Sequence, residues 1–432
     1  MQQRTWRRPG LDVAAIFRGA AASFLKEHGA RLSSAQRRVF AELQTCRTAA
    51  LGGHVRACTS CDHREIAYNS CRNRHCPKCQ ALARARWLKQ READLLPIPY
   101  FHVVFTLPAE LAAVALQNRR LLYGNLFQAA SETLLELAAD PSHLGAKIGI
   151  LAVLHTWGQN LMHHPHLHCV VSGGGLAPDE SQWVASRDYY LLPVRLLSSV
   201  FRAKYCQLLE RAFDRGELKL GGQLASLADA SEFNKFVAAA KKRKWVVYAK
   251  RPFREPACVL RYLARYTNRV AISNQRLVRY DDGLVTFNFK DNTQGGQQRS
   301  MTLAASEFIR RFLLHTLPSG FMRIRHYGFL ANRHRRTKLA LCRQLLQRAS
   351  TAEAESTPVQ RAFPLQDQAS IPAALEEPLV LLCPACADGR LQTIEIIGRP
   401  SPINSSVRLS KRLRNHSSSP RPPPAMTCQN SL

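Results

Sequence analysis

Six of the chain's 13 cysteines lie between Cys46 and Cys79, and this cluster restricts the fold more than any other feature of the 432-residue sequence. Cys58-x-x-Cys61 and Cys76-x-x-Cys79 have the spacing of zinc knuckles, in which a short loop points two thiolates at one tetrahedral ion. Their polar and charged neighbours are unsuited to a hydrophobic core. We therefore predict a small zinc-binding module built around a structural Zn²⁺ ion.

Further ligand candidates lie beside the two pairs, and they are Cys46, His54, Cys71 and His75. They are enough for a second zinc ion. The sequence leaves open which ligands share an ion, including whether Cys71 replaces one of the four knuckle cysteines. Near the other end of the chain, Cys383-Pro-Ala-Cys386 supplies half of a site and has no clear partner.

The charge of the chain indicates a polyanionic partner. It carries 61 Lys and Arg against 31 Asp and Glu, a formal net charge of +30. A positive field of this size favours binding to nucleic acid, and an acidic membrane surface is the weaker alternative. The surplus lies in residues 1–99, with 18 basic and 7 acidic side chains, and in residues 241–350, with 24 and 5. We expect two DNA-facing surfaces around a folded domain, with a generally basic surface as the alternative.

The sequence gives no sign of a membrane or a secretory route. No stretch approaches the roughly 18 apolar residues that a membrane span requires, and the basic residues at the start lead into no apolar signal core. An odd number of cysteines in a long chain also argues against a disulfide framework. We expect a cytoplasmic, nucleoid-associated protein.

Patterning along the chain predicts three domains. A helical lead over residues 24–43, the cysteine cluster and a basic helix over residues 81–96 precede Pro97 and Pro99, which predicts a first domain of residues 1–99. An α+β domain is predicted for residues 100–345. After residue 345, Ser, Pro, Ala and Gln are abundant, which predicts a largely disordered tail over residues 346–432.

Strand-length apolar runs support the α+β prediction. They cover residues 101–107, 149–155 and 166–171, and a helix-like segment over residues 121–139 lies between the first two. Asp282-Gly283 tolerates the positive φ angles of a tight turn and predicts a hairpin of residues 276–280 and 284–290. Gly173-Gly174-Gly175 lacks the lysine of a phosphate-binding loop and is predicted to be a strand-ending turn.

The segment His166-Leu167-His168 predicts a second kind of metal site. In an extended strand, side chains alternate, so the two imidazoles face the same side and can hold one divalent ion. A third ligand would complete a site open to substrate oxygens. The candidates, which the sequence does not rank, are His155, Gln159, His163 and His164.

Two tyrosines, Tyr262 and Tyr266, follow Pro256, which suits the first turn of a helix. At this spacing both phenols lie on one helical face, and they could form part of a core stripe. The flanking basic side chains favour a phosphodiester instead, and they are Arg261, Arg265 and Arg269. A tyrosine hydroxyl beside a metal-bound phosphate can attack phosphorus and hold a DNA end without ATP.

Basic side chains also lie within and after the cysteine cluster. Those predicted to contact DNA phosphates are Arg72, Arg74 and Lys78, followed by Arg84, Arg86 and Lys89. A merely solvated basic face is the alternative.

Taken together, these motifs resemble the two-tyrosine HUH rolling-circle transposases of bacterial insertion sequences, relatives of Helitron. The resemblance covers roughly residues 20–345. His166-Leu167-His168 matches the metal motif of that family, and Tyr262 and Tyr266 match its nucleophile motif. Residues 104–108 resemble the first motif of replication initiators, and residues 70–79 resemble the zinc-binding module of the family. The metal motif precedes the tyrosines, as it does in replication initiators.

The resemblance implies an HUH endonuclease-like antiparallel sheet with flanking helices, preceded by the zinc-binding module. It implies cleavage and rejoining of single-stranded DNA with Mg²⁺ or Mn²⁺ through a 5′-phosphotyrosine, acting on single-stranded and duplex DNA at element ends and targets. A non-catalytic, zinc-dependent DNA-binding protein is the alternative. A nuclease with carboxylate-held ions is disfavoured, because residues 241–350 contain only 5 carboxylates. The oligomeric state stays open.

Overall fold

The computed structural model describes residues 10–80, 94–188, 190–253, 271–291, 295–356, 381–386 and 388–400. The predicted nucleophiles Tyr262 and Tyr266 lie outside the described residues, as do Arg261, Arg265 and Arg269. Most of the predicted basic helix over residues 81–96 also lies outside them, together with Arg84, Arg86 and Lys89.

The described chain mixes helices with antiparallel strands, which confirms the predicted α+β class. The helices are α1 (Val13–Gly19), α2 (Ala21–His28), α3 (Ser34–Thr45), α4 (Ala112–Gln117), α5 (Arg119–Ala139), α6 (Val194–Asp214), α7 (Ala230–Lys242), α8 (Ala305–Leu314) and α9 (Arg335–Ser356). The strands are β1 (Gly53–Cys58), β2 (Arg64–Tyr68), β3 (Tyr100–Thr106), β4 (Lys147–Trp157), β5 (His163–Leu176), β6 (Trp183–Ala185), β7 (Val246–Phe253), β8 (Leu277–Asp281), β9 (Leu284–Asp291), β10 (Gln297–Ala304), β11 (Ile324–Gly328) and β12 (Leu391–Ile397). Within these residues, no helix is both long and apolar enough to cross a bilayer.

The largest sheet has the strand order β11-β4-β5-β3-β7, with β6 paired to β5, and its pairs are antiparallel. Side chains alternate between its two faces. Phe105, Leu167 and Leu154 belong to one face, which is buried in the main core with residues of α5 and α6. The Phe105 and Phe201 rings meet edge to face with centroids 4.9 Å apart. The opposite face of β5, the central strand, therefore presents His166 and His168.

A second core joins the N-terminal helices to the strands that follow residue 271. Buried residues of α1, α2 and α3 pack with β9 and α8 in one cluster. Phe17 of α1 lies 5.5 Å from Phe40 of α3 and 5.3 Å from Phe312 of α8, measured between ring centroids. The two positively charged segments of the sequence thus share a hydrophobic core.

The predicted helical lead over residues 24–43 is interrupted. A 3₁₀ turn, Gly29–Arg31, ends α2, and α3 begins anew at a capping box in which Ser33 and Gln36 each bond the other's backbone N–H. Because the first N–H groups of a helix have no intrahelical partner, such a Ser-x-x-Gln pair starts a new helix.

The predicted strands and hairpin are confirmed. The strands over residues 101–107, 149–155 and 166–171 correspond to β3, β4 and β5, and the helix over residues 121–139 corresponds to α5. β8 and β9 form the predicted hairpin, and Asp282 and Gly283 have φ angles of 46° and 72°.

The predicted turn at Gly173-Gly174-Gly175 is wrong, because all three glycines lie inside β5. These positions require glycine because neighbouring backbone atoms approach them closely. A Cβ on Gly175 would lie 2.5 Å from the Lys147 carbonyl oxygen, and one on Gly174 would lie 2.5 Å from that of Val184. Only glycine lets β4 and β6 pair with β5 at this place.

The prediction of a largely disordered tail from residue 346 is wrong for two segments. Helix α9 continues to Ser356, and its residues Leu339, Cys342 and Leu345 are buried in a third cluster with Tyr100 and Val170 of the sheet. Strand β12 pairs with β1 of the N-terminal module in an antiparallel register that starts at Gly53↔Ile397. Patterns within a short stretch of sequence do not predict β12, because its partner strand β1 lies more than 300 residues upstream.

Two Gly→Ala substitutions test the role of the glycines in β5. We expect Gly175→Ala to destabilise the protein by about 1–3 kcal/mol, because the new methyl group meets backbone atoms that cannot move aside. Gly124→Ala in α5, where nothing lies within 4 Å of the new Cβ, should stabilise it by up to about 1 kcal/mol. Urea unfolding measures both. Equal effects of the two substitutions would contradict the close approach at Gly175.

Candidate active site and metal sites

Three histidines meet on the sheet face that lies opposite the main core. His166 and His168 project from β5, and the β4–β5 register places His155 directly across from His166. One ring nitrogen of each lies within 4.8 Å of the others, and His155 and His168 are buried. Among the candidates that the sequence left open, His155 is therefore the third member of the set.

The remaining candidates have other contacts. The Nε2 atom of His163 lies 2.7 Å from the hydroxyl of Tyr123, a residue of α5. His164 contributes its carbonyl oxygen, which accepts a hydrogen bond from His166 Nδ1 at 2.7 Å. Gln159 accepts a hydrogen bond from Arg276 through its carbonyl oxygen at 2.5 Å. Neither His163 nor His164 belongs to the three-histidine set.

A fourth histidine, His102 of the neighbouring strand β3, contacts one member of the set. Its Nε2 atom lies 2.9 Å from His168 Nδ1, and both residues are buried. Burial, with smaller contributions from Lys250 and His166, lowers the pKa of His102 to about 4, so its ring is neutral. A neutral His102 can accept the Nδ1–H of His168, which leaves His168 Nε2 as a lone-pair donor. The carbonyl of His164 orients His166 in the same way.

This donor set fits a divalent metal ion. Imidazole nitrogens suit first-row transition-metal ions better than Mg²⁺, which prefers oxygen ligands. No Asp or Glu of the described residues joins the set. Three protein ligands leave coordination positions for phosphate oxygens and water.

The first cysteine set consists of Cys46, Cys71, Cys76 and Cys79. Their sulfur atoms are 3.5 Å apart for Cys46 and Cys76, and 3.6 Å apart for Cys79 with both Cys46 and Cys71. A tetrahedral ion with Zn–S bonds of about 2.3 Å requires sulfur atoms about 3.8 Å apart, whereas a disulfide requires about 2.05 Å. These four free cysteines therefore form a pocket of the size that one zinc ion needs.

The structure groups the cysteines whose pairing the sequence left open. Cys58 and Cys61 do not join Cys76 and Cys79 but form a second set with Cys383 and Cys386. The unassigned C-terminal pair thus has a partner, which strand pairing between β1 and β12 brings to it.

The two histidines predicted as zinc ligands belong to neither set of the described cysteines. His54 lies on β1, across from Ile396 of β12. Burial, reinforced by the charges of Arg74 and Arg323, lowers the pKa of His75 to about 3. The His75 backbone N–H donates to Asn73 Oδ1 at 2.7 Å.

Two of the basic residues predicted to contact DNA beside the cysteines have internal partners. Arg74 donates to the carbonyl oxygens of Phe321 at 2.7 Å and Pro318 at 2.9 Å, which ties the module to the chain after α8. Lys78 forms an ion pair with Asp12 at 2.5 Å. Arg72 is exposed, and phosphate contact by Arg72 stays a prediction.

Known proteins match the chain over most of its length. Residues 16–107 match the IS91-type family described as "Transposase zinc-binding domain", and residues 149–338 match the family described as "Putative transposase". "Putative transposase y4qJ" of Sinorhizobium fredii (strain NBRC 101917 / NGR234) is 54% identical over 389 residues, covering 90% of this chain and 96% of that protein. "Transposase for insertion sequence element IS801" of Pseudomonas savastanoi pv. phaseolicola is 30% identical over 325 residues, covering 73% and 74%. No solved structure matches the chain significantly.

A zinc-binding module joined to an α+β domain with a three-histidine sheet face, both matched by transposase families, defines an insertion-sequence transposase. The chain belongs to the IS91 family of rolling-circle transposases. The resemblance read from the sequence motifs is thereby confirmed.

His102 provides a test of the histidine set that does not depend on DNA. We expect His102→Ala to weaken Mn²⁺ binding by roughly 10–100-fold, because His168 loses the acceptor that fixes its ring. Isothermal titration calorimetry with Mn²⁺ alone measures the change. His102→Gln, whose amide oxygen can accept the same hydrogen bond, should restore part of the affinity. His334→Ala, an exposed site outside the set, is the control. Unchanged affinity in folded His102→Ala would contradict this positioning role.

Proposed function

We propose that this transposase cleaves and rejoins single-stranded DNA through a 5′-phosphotyrosine, with Tyr262 and Tyr266 as nucleophiles. His155, His166 and His168 would hold the divalent ion, Mn²⁺ or Mg²⁺. The observation that carries the proposal is the convergence of these three imidazoles on one face of a central strand, with His102 orienting one of them. A purely structural role does not require three imidazole nitrogens to lie within 4.8 Å of one another.

The described ends of the tyrosine-containing segment are compatible with this role. Strand β7 pairs with β3 from Val246, across from Thr106, to Phe253, across from Tyr100. Thr106 is also across from His166, so β7 begins at the histidine end of the sheet and finishes at the far end.

The chain is described again at Ala271, which is buried in the same cluster as Leu161. Trp157 packs against that cluster and stacks on His155, with ring centroids 4.6 Å apart. The described chain therefore resumes near the histidine end of the sheet. Tyr266 precedes Ala271 by five residues in the sequence.

The chemistry requires an oxygen nucleophile, a leaving group and a proton acceptor. The phenol oxygen of a tyrosine forms a bond to phosphorus while the bond from phosphorus to the 3′ oxygen breaks. The phenol proton passes to solvent or a neighbouring base, and the departing 3′ oxygen takes up a proton from solvent. The divalent ion, when bound, would stabilise charge on the phosphate oxygens. The freed 3′-hydroxyl can attack the phosphotyrosine in the reverse direction, so rejoining needs no external energy source.

Two tyrosines permit two covalent attachments. One phenol would hold the donor end while the other cleaves the next strand, which suits a reaction that moves a strand from one site to another. The surplus of positive charge in residues 241–350, with 24 basic and 5 acidic side chains, supports binding of both single-stranded and duplex DNA around this reaction. Association with the nucleoid would follow from the same charge.

A non-catalytic, zinc-dependent DNA-binding protein is the second candidate. The cysteine sets and the net charge of +30 favour it as much as they favour a transposase reaction. It does not account for the three converging histidines. Salt-dependent DNA binding cannot separate the two candidates, because both lose affinity as counterions compete.

Formation of a covalent adduct separates them. Purified protein is incubated with labelled single-stranded DNA from the ends of its own genetic locus and Mn²⁺ or Mg²⁺, then run on a denaturing gel. We expect a metal-dependent, denaturant-resistant protein–DNA band that is absent in the Tyr262→Phe/Tyr266→Phe double variant. His166→Ala should reduce the band by roughly 100-fold or more, because one oriented donor to the ion is lost.

Tyr248→Phe is the matched control for the loss of a phenol. Tyr248 lies on β7, is 52% exposed, and is paired with Val104 beside His168. This variant should form as much adduct as the unmodified protein. An undiminished adduct in the double Phe variant would contradict the tyrosine mechanism. DNA binding without any adduct, in folded and metal-replete protein, would favour the binding-protein candidate.

A further inference from the structure

We infer that Cys58, Cys61, Cys383 and Cys386 form a second structural zinc site, closed between the two ends of the chain. The matched zinc-binding family covers residues 16–107, so it contains the first two of these cysteines and not the last two. The site stands apart from the histidine set and does not depend on the tyrosine chemistry.

The sulfur geometry is that of a tetrahedral ion. Cys58 Sγ lies 3.6 Å from Cys386 Sγ, and Cys61 Sγ lies 3.8 Å from Cys383 Sγ. All four sulfur atoms lie within 4.8 Å of one another. These separations agree with the edge of about 3.8 Å expected for Zn–S bonds of about 2.3 Å, and all four cysteines are free.

Backbone N–H groups point at the sulfur atoms on both sides of the site. Ser60 N lies 3.3 Å from Cys58 Sγ on the N-terminal side. On the C-terminal side, Ala385 N lies 3.4 Å from Cys383 Sγ and Gly389 N lies 3.3 Å from Cys386 Sγ. Hydrogen bonds to sulfur stabilise the thiolate form, which is the form that binds a metal. Both loops thus have the internal bonding of a zinc knuckle.

The two loops are held together by the backbone. Cys58 is paired with Leu391 in the β1–β12 ladder. Beyond the ladder, Thr59 N donates to the Arg390 carbonyl at 3.0 Å, and Arg390 N donates to Thr59 Oγ1 at 3.0 Å. These bonds bring the C-terminal loop directly over the Cys58 loop.

At Gly389, the C-terminal loop packs against the Cys58 loop with no room for a side chain. A Cβ added to Gly389 would lie 2.1 Å from Cys58 Sγ and 3.0 Å from the Cβ of Ser60. Such a contact would displace a sulfur atom of the set. Gly398, nine residues further on, has nothing within 4 Å of an added Cβ and offers a matched control.

Strand β12 needs this ion because its own burial is small. Ile394 and Ile396 are 54% and 75% exposed, so pairing with β1 removes little apolar surface from water. The six paired residues of this edge strand are a weak anchor by themselves. In small modules of this kind, metal binding supplies the folding free energy that a core would otherwise supply.

Counting bound zinc in the full-length protein tests the inference. Native mass spectrometry should find two zinc ions per chain, and Cys383→Ser/Cys386→Ser should retain one. Gly389→Ala, which keeps every cysteine, should also retain one, while Gly398→Ala should retain two. Limited proteolysis should then cut residues 381–400 at least 10-fold faster in the Cys383→Ser/Cys386→Ser variant and in Gly389→Ala than in the unmodified protein.

Three outcomes would overturn the inference. One is two zinc ions in the folded Cys383→Ser/Cys386→Ser variant, since the site would then close without the C-terminal pair. Another is a single zinc ion in the unmodified protein. The third is a disulfide involving any of the four cysteines in protein purified without oxidant. If the double Ser variant fails to fold, the zinc content of Gly389→Ala is compared with that of Gly398→Ala. Both variants keep all cysteines, so equal zinc content in the two would overturn the inference.

Discussion

The register between β4 and β5 is the constraint on which the candidate active site depends. It places His155 across from His166, and the alternation of β5 puts His166 and His168 on one face while Leu167 enters the core. A slip of one residue would send the histidines into the hydrophobic core and Leu167 into solvent. The core on one face therefore fixes the histidines on the other. The glycines at the far end of β5, which admit close neighbouring strands, maintain the same alignment.

The molecule is less modular than its sequence suggests. The N-terminal helices share a core with β9 and α8, and Arg74 binds carbonyl groups after α8. The zinc-binding module and the sheet domain are thus joined by buried contacts and not by a linker alone. Cys46 and Cys76 are themselves part of that shared core. A metal bound by these cysteines would stabilise the interface as well as the module.

Local patterns in the sequence predicted the elements well and their partners poorly. The strands, helix α5 and the Asp282-Gly283 hairpin follow from periodicity and turn chemistry, which act over a few residues. The His166 and His168 pair was predictable for the same reason. The choice of His155 among the four candidate third ligands was not, because His155 comes from a neighbouring strand whose register is set by packing. Spacing likewise suggested that Cys58 and Cys61 pair with Cys76 and Cys79, whereas strand pairing assigns them to cysteines at the other end of the chain.

The separation of the second cysteine set along the chain affects how the protein is made. Cys61 and Cys383 are 322 residues apart, and the ribosome releases them in that order. During synthesis of the intervening residues, Cys58 and Cys61 supply only two of the four ligands that the zinc site requires. Strands β1 and β12 can pair only after the sheet domain has left the ribosome. A chain terminated early by a frameshift or nonsense codon would keep its histidines and the first cysteine set but leave Cys58 and Cys61 exposed to oxidants and to other metals.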